Sequence, residues 1–142
     1  METNDPYDLR RFVDAQSRNY DQALAELKAG EKRSHWMWYV FPQYDGLGRS
    51  PMARQYAIKS VAEAEAYLRH PVLGPRLREC AAAVLAVEGG TAYEIFGSPD
   101  DVKLRSSATL FSRVAPAGSP FHQILDRFFA GEPDPRTLML IA

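Results

Sequence analysis

The chain has 142 residues, 46% hydrophobic and 25% charged, with a net charge of −1 and an isoelectric point near 6.3. These values exclude wholesale disorder and collagen-like composition, and they argue against nonspecific nucleic-acid binding, which needs a strong positive field. A lone cysteine, Cys80, excludes an internal disulfide framework, while the polar start and the lack of any apolar run near the roughly 20 residues of a membrane span leave one cytoplasmic domain over 1–142 as the expectation.

The first periodic segment runs over 7–29. Leu9, Phe12, Val13, Gln16, Tyr20, Ala23, Leu24 and Leu27 recur at three- and four-residue steps, the pattern of one amphipathic helix closed by Gly30. Over 34–48 the pattern is lost, and five aromatic residues fall within positions 36–44. Pro42 and the turn pair Asp45-Gly46 predict a short helical or extended piece followed by a loop. Beyond it, Ser50-Pro51, Ser98-Pro99, Ser119-Pro120 and Asp134-Pro135 each place a capping side chain before a proline. Ser60 with Glu63 and Thr91 with Glu94 have capping-box spacing. These signals predict helices near 51–58, 61–69, 72–88, 92–96, 99–114 and 120–130, and a tail at 137–142 that forms a helical turn or a strand. The fold class is therefore all-α, with about six or seven short-to-medium helices rather than a long bundle.

Three stretches carry candidate chemistry. In the aromatic segment, Trp36 and Trp38 offer flat faces for planar ligands, His35 offers an imidazole for proton transfer, and Gln43 presents an amide. The same aromatic residues would also serve as core. The stretch Gly46-Leu47-Gly48-Arg49-Ser50 combines a glycine turn, a helix start and a cation, a combination suited to anions; an ordinary capped turn has the same look. In the third stretch Asp100 and Asp101 open a helix, Asp101 and Arg105 have pairing spacing, and Lys103 flanks the apolar stripe. The histidines lack metal-ligand spacing and Cys80 lies on an apolar stripe, so neither a metal site nor a cofactor is expected.

Read together, these segments resemble the bacterial domain-of-unknown-function family 1810, sometimes labelled calpastatin-like. The matching stretches are Ser34-His35-Trp36-Met37-Trp38-Tyr39-Val40-Phe41-Pro42-Gln43, the loop over 46–50, positions 53–58, positions 65–71 with Leu73-Gly74, and the run over 95–107 from Ile95-Phe96-Gly97 to Ser106-Ser107. The resemblance implies a mainly helical single domain and no established reaction. A second resemblance is to the NADAR family, small α-rich proteins that act on ADP-ribose-type N-glycosides. Its signature has a Glu-His pair followed by aromatics and a Gln; here His35 leads to Gln43, and Ser34 stands where that family has Glu. This second resemblance implies a nucleotide-like ligand.

The resulting expectation is one cleft walled by the aromatic segment, the glycine loop and the start of the 99–114 helix. His35 and Asp101 are its candidate proton-transfer groups. Trp36, Trp38, Gln43, Arg49, Ser50, Lys103 and Arg105 are its candidate ligand-binding groups. The function expected is binding, or hydrolysis, of a nucleotide-derived small molecule. The alternative is a non-catalytic interaction module that uses the aromatic segment as an exposed patch.

Overall fold

In the computed structural model, which describes residues 5–142, the regular secondary structure is almost wholly helical. The helices are α1 (Arg10–Gln16), α2 (Tyr20–Lys28), α3 (Met37–Val40), α4 (Pro51–Gln55), α5 (Val61–Arg69), α6 (Leu73–Ala86), α7 (Ala92–Phe96), α8 (Asp100–Ser112), α9 (Pro120–Phe128) and α10 (Pro135–Ile141). Among the described residues, extended backbone pairs only in a single parallel bridge between Tyr44 and Ile58.

The all-α class is as expected, but the ten helices among the described residues exceed the six or seven read from the sequence. The 7–29 segment is two helices, broken at 17–19 by residues that include neither Gly nor Pro. Both halves turn their stripes inward, so the spacing of Phe12, Ala23 and Leu27, all fully buried, continues across the break. The aromatic run contributes the single turn of α3, and the tail completes α10.

Five of the six predicted caps are made. The side chains of Ser50, Ser60, Thr91, Ser119 and Asp134 each accept from the backbone N–H three residues on, at 3.0–3.4 Å. Only Thr91 completes the reciprocal box, its N–H donating to Glu94 Oε1 at 2.8 Å. Ser98 is the exception. It is exposed, and α8 starts two residues later, after Pro99, without a side-chain cap. Ser119→Ala is therefore expected to lower stability by about 1 kcal/mol, the usual worth of a helix cap, and Ser98→Ala to leave it unchanged. Urea unfolding of the two variants checks this.

The core forms where α6 packs on α2, α5 and α9, and α8 packs on α5, α7, α9 and α10. A chain of rings ties the layers together. Phe12, Tyr67, Phe111 and Phe121 follow one another with centroids 5.1, 5.3 and 5.7 Å apart, within the range of favourable aromatic contact. Gly74 lets α6 begin against the end of α5: a Cβ there would stand 2.2 Å from the Leu68 carbonyl oxygen. Cys80 is wholly enclosed, and burial pushes its thiol up to about 12, so it belongs to the core and not to any nucleophilic site. In α8, Leu104 and the run from Ser106 to Phe111 are buried, while the first turn reaches the surface beside the aromatic segment.

Candidate functional site

The aromatic segment is held from below by one carboxylate. Glu26 on α2 is buried, and its Oε1 accepts from the Arg33 and Ser34 N–H groups and from the Trp36 indole at 2.8, 3.0 and 2.9 Å. Its Oε2 accepts from the Ser34 hydroxyl at 2.6 Å. Burial opposes ionisation of this carboxyl, but the converging donors outweigh it and hold the group down to about 2. Residues 33–36 are thereby fixed, and Trp36 is fully enclosed.

A chain of charges leads from this anchor to the surface. Lys32, whose side chain is almost buried, donates to the Ser34 carbonyl at 2.6 Å, lies over the Trp36 ring and pairs with Asp100 at 2.8 Å. Lys103, one turn along α8, is 3.6 Å from the other oxygen of Asp100 and 5.7 Å from the centroid of Trp38, which is half-buried. Two lysines thus share one carboxylate, and Lys32 holds the shorter contact.

Lys103 opens onto a cleft of about 280 Å³, lined also by Gln43, Gly48, Val102, Asp134 and Arg136. The loop that carries Gln43 is fixed by the bridge to Ile58: Ile58 N–H donates to the Gln43 carbonyl at 2.9 Å, and Asp45 N–H to the Ile58 carbonyl at 2.8 Å. Gly48 closes the loop against α4, since a Cβ there would meet that of Ala53 at 2.4 Å. Asp134 is already engaged. Its Oδ2 accepts from the hydroxyls of Thr137 and Ser106 and from Thr137 N–H. The cations of the cleft therefore outweigh its one committed carboxylate. Among the described residues no cluster of three or more His, Cys, Asp or Glu side chains could hold a metal ion, and no helix is long and apolar enough to cross a membrane.

The structure brings some of the predicted site residues together and separates others. Gln43 and Lys103 share the cleft, whereas Trp38 does not line it and lies 5.7 Å by its ring centroid from the Lys103 ammonium. Trp36 has no free face for a ligand, because its indole belongs to the core. His35 is exposed and, like Asp101, does not line the cleft. Asp101 accepts from the Val102 N–H at 2.9 Å instead of pairing with Arg105. The Arg105 guanidinium donates to the Glu132 and Pro133 carbonyls at 3.0 and 3.1 Å, which makes it a clamp on the chain before α10. Arg49 is exposed on the loop, and the Ser50 hydroxyl is occupied as the cap of α4.

Residues 6–141, nearly the whole described chain, match the family described as protein of unknown function DUF1810. The chain belongs to the DUF1810 family. It is similar to a solved structure, the crystal structure of the conserved hypothetical protein Rv1873 from Mycobacterium tuberculosis, with 52% identity, 96% of this chain and 98% of that one covered, and a TM-score of 0.95. Among curated proteins nothing matches.

Four polar residues that shape this DUF1810 site escaped the sequence reading: Glu26, Lys32, Asp134 and Arg136. Glu26 gave one signal, because it lies within the inward stripe of α2 between Ala23 and Leu27, where a carboxylate needs buried donors. Asp134 was visible as a cap, and nothing local showed that α10 folds back beside Gln43. Lys32 and Arg136 carry no pattern that separates them from surface cations.

Proposed function

We propose that the cleft between Gln43, Lys103 and Arg136 binds a small nucleotide-derived anion, and that binding is the activity of this protein. The observation that carries the reading is the state of Lys103. Lys103 lines the cleft with its ammonium beside the Trp38 ring, and its one carboxylate partner among the described residues, Asp100, is held more closely by Lys32. Its charge is thus incompletely neutralised, and Arg136 adds a second cation with no ion-pair partner among the described residues. Gln43 supplies the amide that reads donors and acceptors on a base or ribose. The resemblance of the His35–Gln43 segment to NADAR proteins points to the same ligand class.

The size of the cleft narrows the ligand. Its 280 Å³ lies just below the roughly 300–1,000 Å³ usual for ligand pockets, a size nearer to a mononucleotide such as AMP than to a dinucleotide. Hydrolysis has less support, because neither His35 nor Asp101 lines the cleft. The interaction-module reading needs exposed tryptophans, whereas Trp36 is enclosed and Trp38 is half-buried near Lys103.

Thermal-shift measurements with AMP, ADP-ribose and NAD, and with adenosine as the uncharged control, test the proposal. A bound ligand at about 100 times its Kd stabilises by about 2.7 kcal/mol. AMP is expected to stabilise the wild type and adenosine to do so less. Lys103→Ala is expected to remove the AMP effect while changing the stability of the free protein by under about 1 kcal/mol. An equal AMP response in wild type and variant would remove Lys103 from the site.

A further inference from the structure

A second cleft, of about 540 Å³, lies between the α1–α2 turn, α3 and α4. It is independent of the first, with which it shares no lining residue. Its polar groups divide into those already engaged and those without partners. Arg11 is engaged completely. Its guanidinium donates to the carbonyls of Tyr7, Asp8, Gln55 and Ala57 and to Glu63, every bond between 2.6 and 2.8 Å. The Tyr39 hydroxyl accepts from Asn19 Nδ2 at 2.7 Å.

Three groups are left over. Arg18 is exposed on the rim and has neither a carboxylate nor a carbonyl partner among the described residues. The Tyr56 hydroxyl accepts a long bond from Gln55 at 3.4 Å and donates to nothing described, although the residue is buried. Asn19 Oδ1 is buried without a partner. Asn19 Oδ1 is sealed from the cleft, so the donors left to a ligand are the Arg18 guanidinium and the Tyr56 hydroxyl, both in the cleft lining. Burial also raises the Tyr56 phenol, which keeps it a neutral donor.

We infer that this cleft binds the oxyanion of a small acid, with the Arg18 guanidinium and the Tyr56 hydroxyl as donors. Arginine suits this role because its planar fork meets two oxygens of a carboxylate or phosphate at once. The one acid in the wall, Asp14, is exposed and lies 3.7 Å from Arg10, so it leaves Arg18 unneutralised. The rest of the cleft wall receives the ligand's uncharged end. Tyr39, Tyr56 and Met52 give that end an apolar bed.

The test is a proton–nitrogen NMR titration of the full chain with sodium phosphate and, separately, sodium succinate at constant ionic strength. Saturable shifts of the Arg18 Nε–H and the Asn19 side-chain amide are expected with at least one of them, and the stronger binder identifies the oxyanion. Arg18→Gln is expected to weaken that binding about tenfold or more, the scale of a charge-assisted hydrogen bond. Tyr56→Phe, which removes only a long contact, should weaken it severalfold with the fold retained. Lys103→Ala should leave it unchanged, which separates this site from the first cleft. No saturable shift with either anion, or equal binding by Arg18→Gln, overturns the inference.

Discussion

Arg11→Ala is expected to destabilise the protein by about 3–5 kcal/mol, the cost of breaking a buried ion pair from one side. Arg11 and Glu63 meet at 2.8 Å with side chains only 13% and 4% exposed. The substitution leaves Glu63 in the interior with one described donor, the Lys59 N–H at 3.0 Å. It also strips the Tyr7, Asp8, Gln55 and Ala57 carbonyls of the same guanidinium. Through those bonds Arg11 fastens the start of α1 to the chain between α4 and α5. Arg11→Lys is expected to rescue little, because an ammonium has three donors and no planar fork to span these acceptors. Since domains are stable by only about 5–15 kcal/mol, either variant should shift the urea midpoint strongly. A loss below about 1 kcal/mol would show that the clamp contributes no more than a surface pair.

Glu26→Gln should have the second largest effect, and its size should depend on pH. A carboxyl brought from its ordinary 4.5 to about 2 couples about 3 kcal/mol to folding. The folded-state value lies below the unfolded one. The stabilisation is therefore complete above about pH 5 and is lost as pH falls towards about 2. At neutral pH the variant should be less stable by about 3 kcal/mol, because a neutral amide replaces the anion that gathers the Arg33, Ser34 and Trp36 donors. The gap between wild type and variant should close as the solution is acidified from about pH 5. Equilibrium unfolding across that range measures it, and a gap independent of pH would contradict the assignment of the charge to Glu26.

The same residues show what the sequence made legible. Capping chemistry is local, so Ser50, Ser60, Thr91, Ser119 and Asp134 announced their helices within three residues. Ser98 matched the same pattern and does not cap, because α8 begins beyond Pro99. The break between α1 and α2 was hidden for the opposite reason. Gln16, a polar residue, occupies the inward stripe by donating to the Tyr39 carbonyl and the Tyr67 hydroxyl, so the helical spacing never lapses. In the site, Gln43 and Lys103 were legible as polar groups at the edges of apolar patterns. The aromatic faces were not assignable, because Trp36 and Trp38 are two residues apart and only a partner elsewhere in the chain decides which is enclosed. Glu26 is that partner. Arg105 misled for a similar reason: its spacing from Asp101 suggested a helical pair, whereas carbonyls 27 and 28 residues away take the guanidinium.

The two tryptophans directly test whether the Lys103 cleft binds a small nucleotide-derived anion. Each indole N–H gives its own signal in a proton–nitrogen spectrum. Trp36 donates to Glu26 inside the core and reports only on the fold, while Trp38 lies beside Lys103. Titration with AMP should move the Trp38 signal saturably, leave the Trp36 signal in place, and fail to move either signal in Lys103→Ala. A Trp38 signal that stays fixed through millimolar AMP, or moves equally in the variant, would contradict the account.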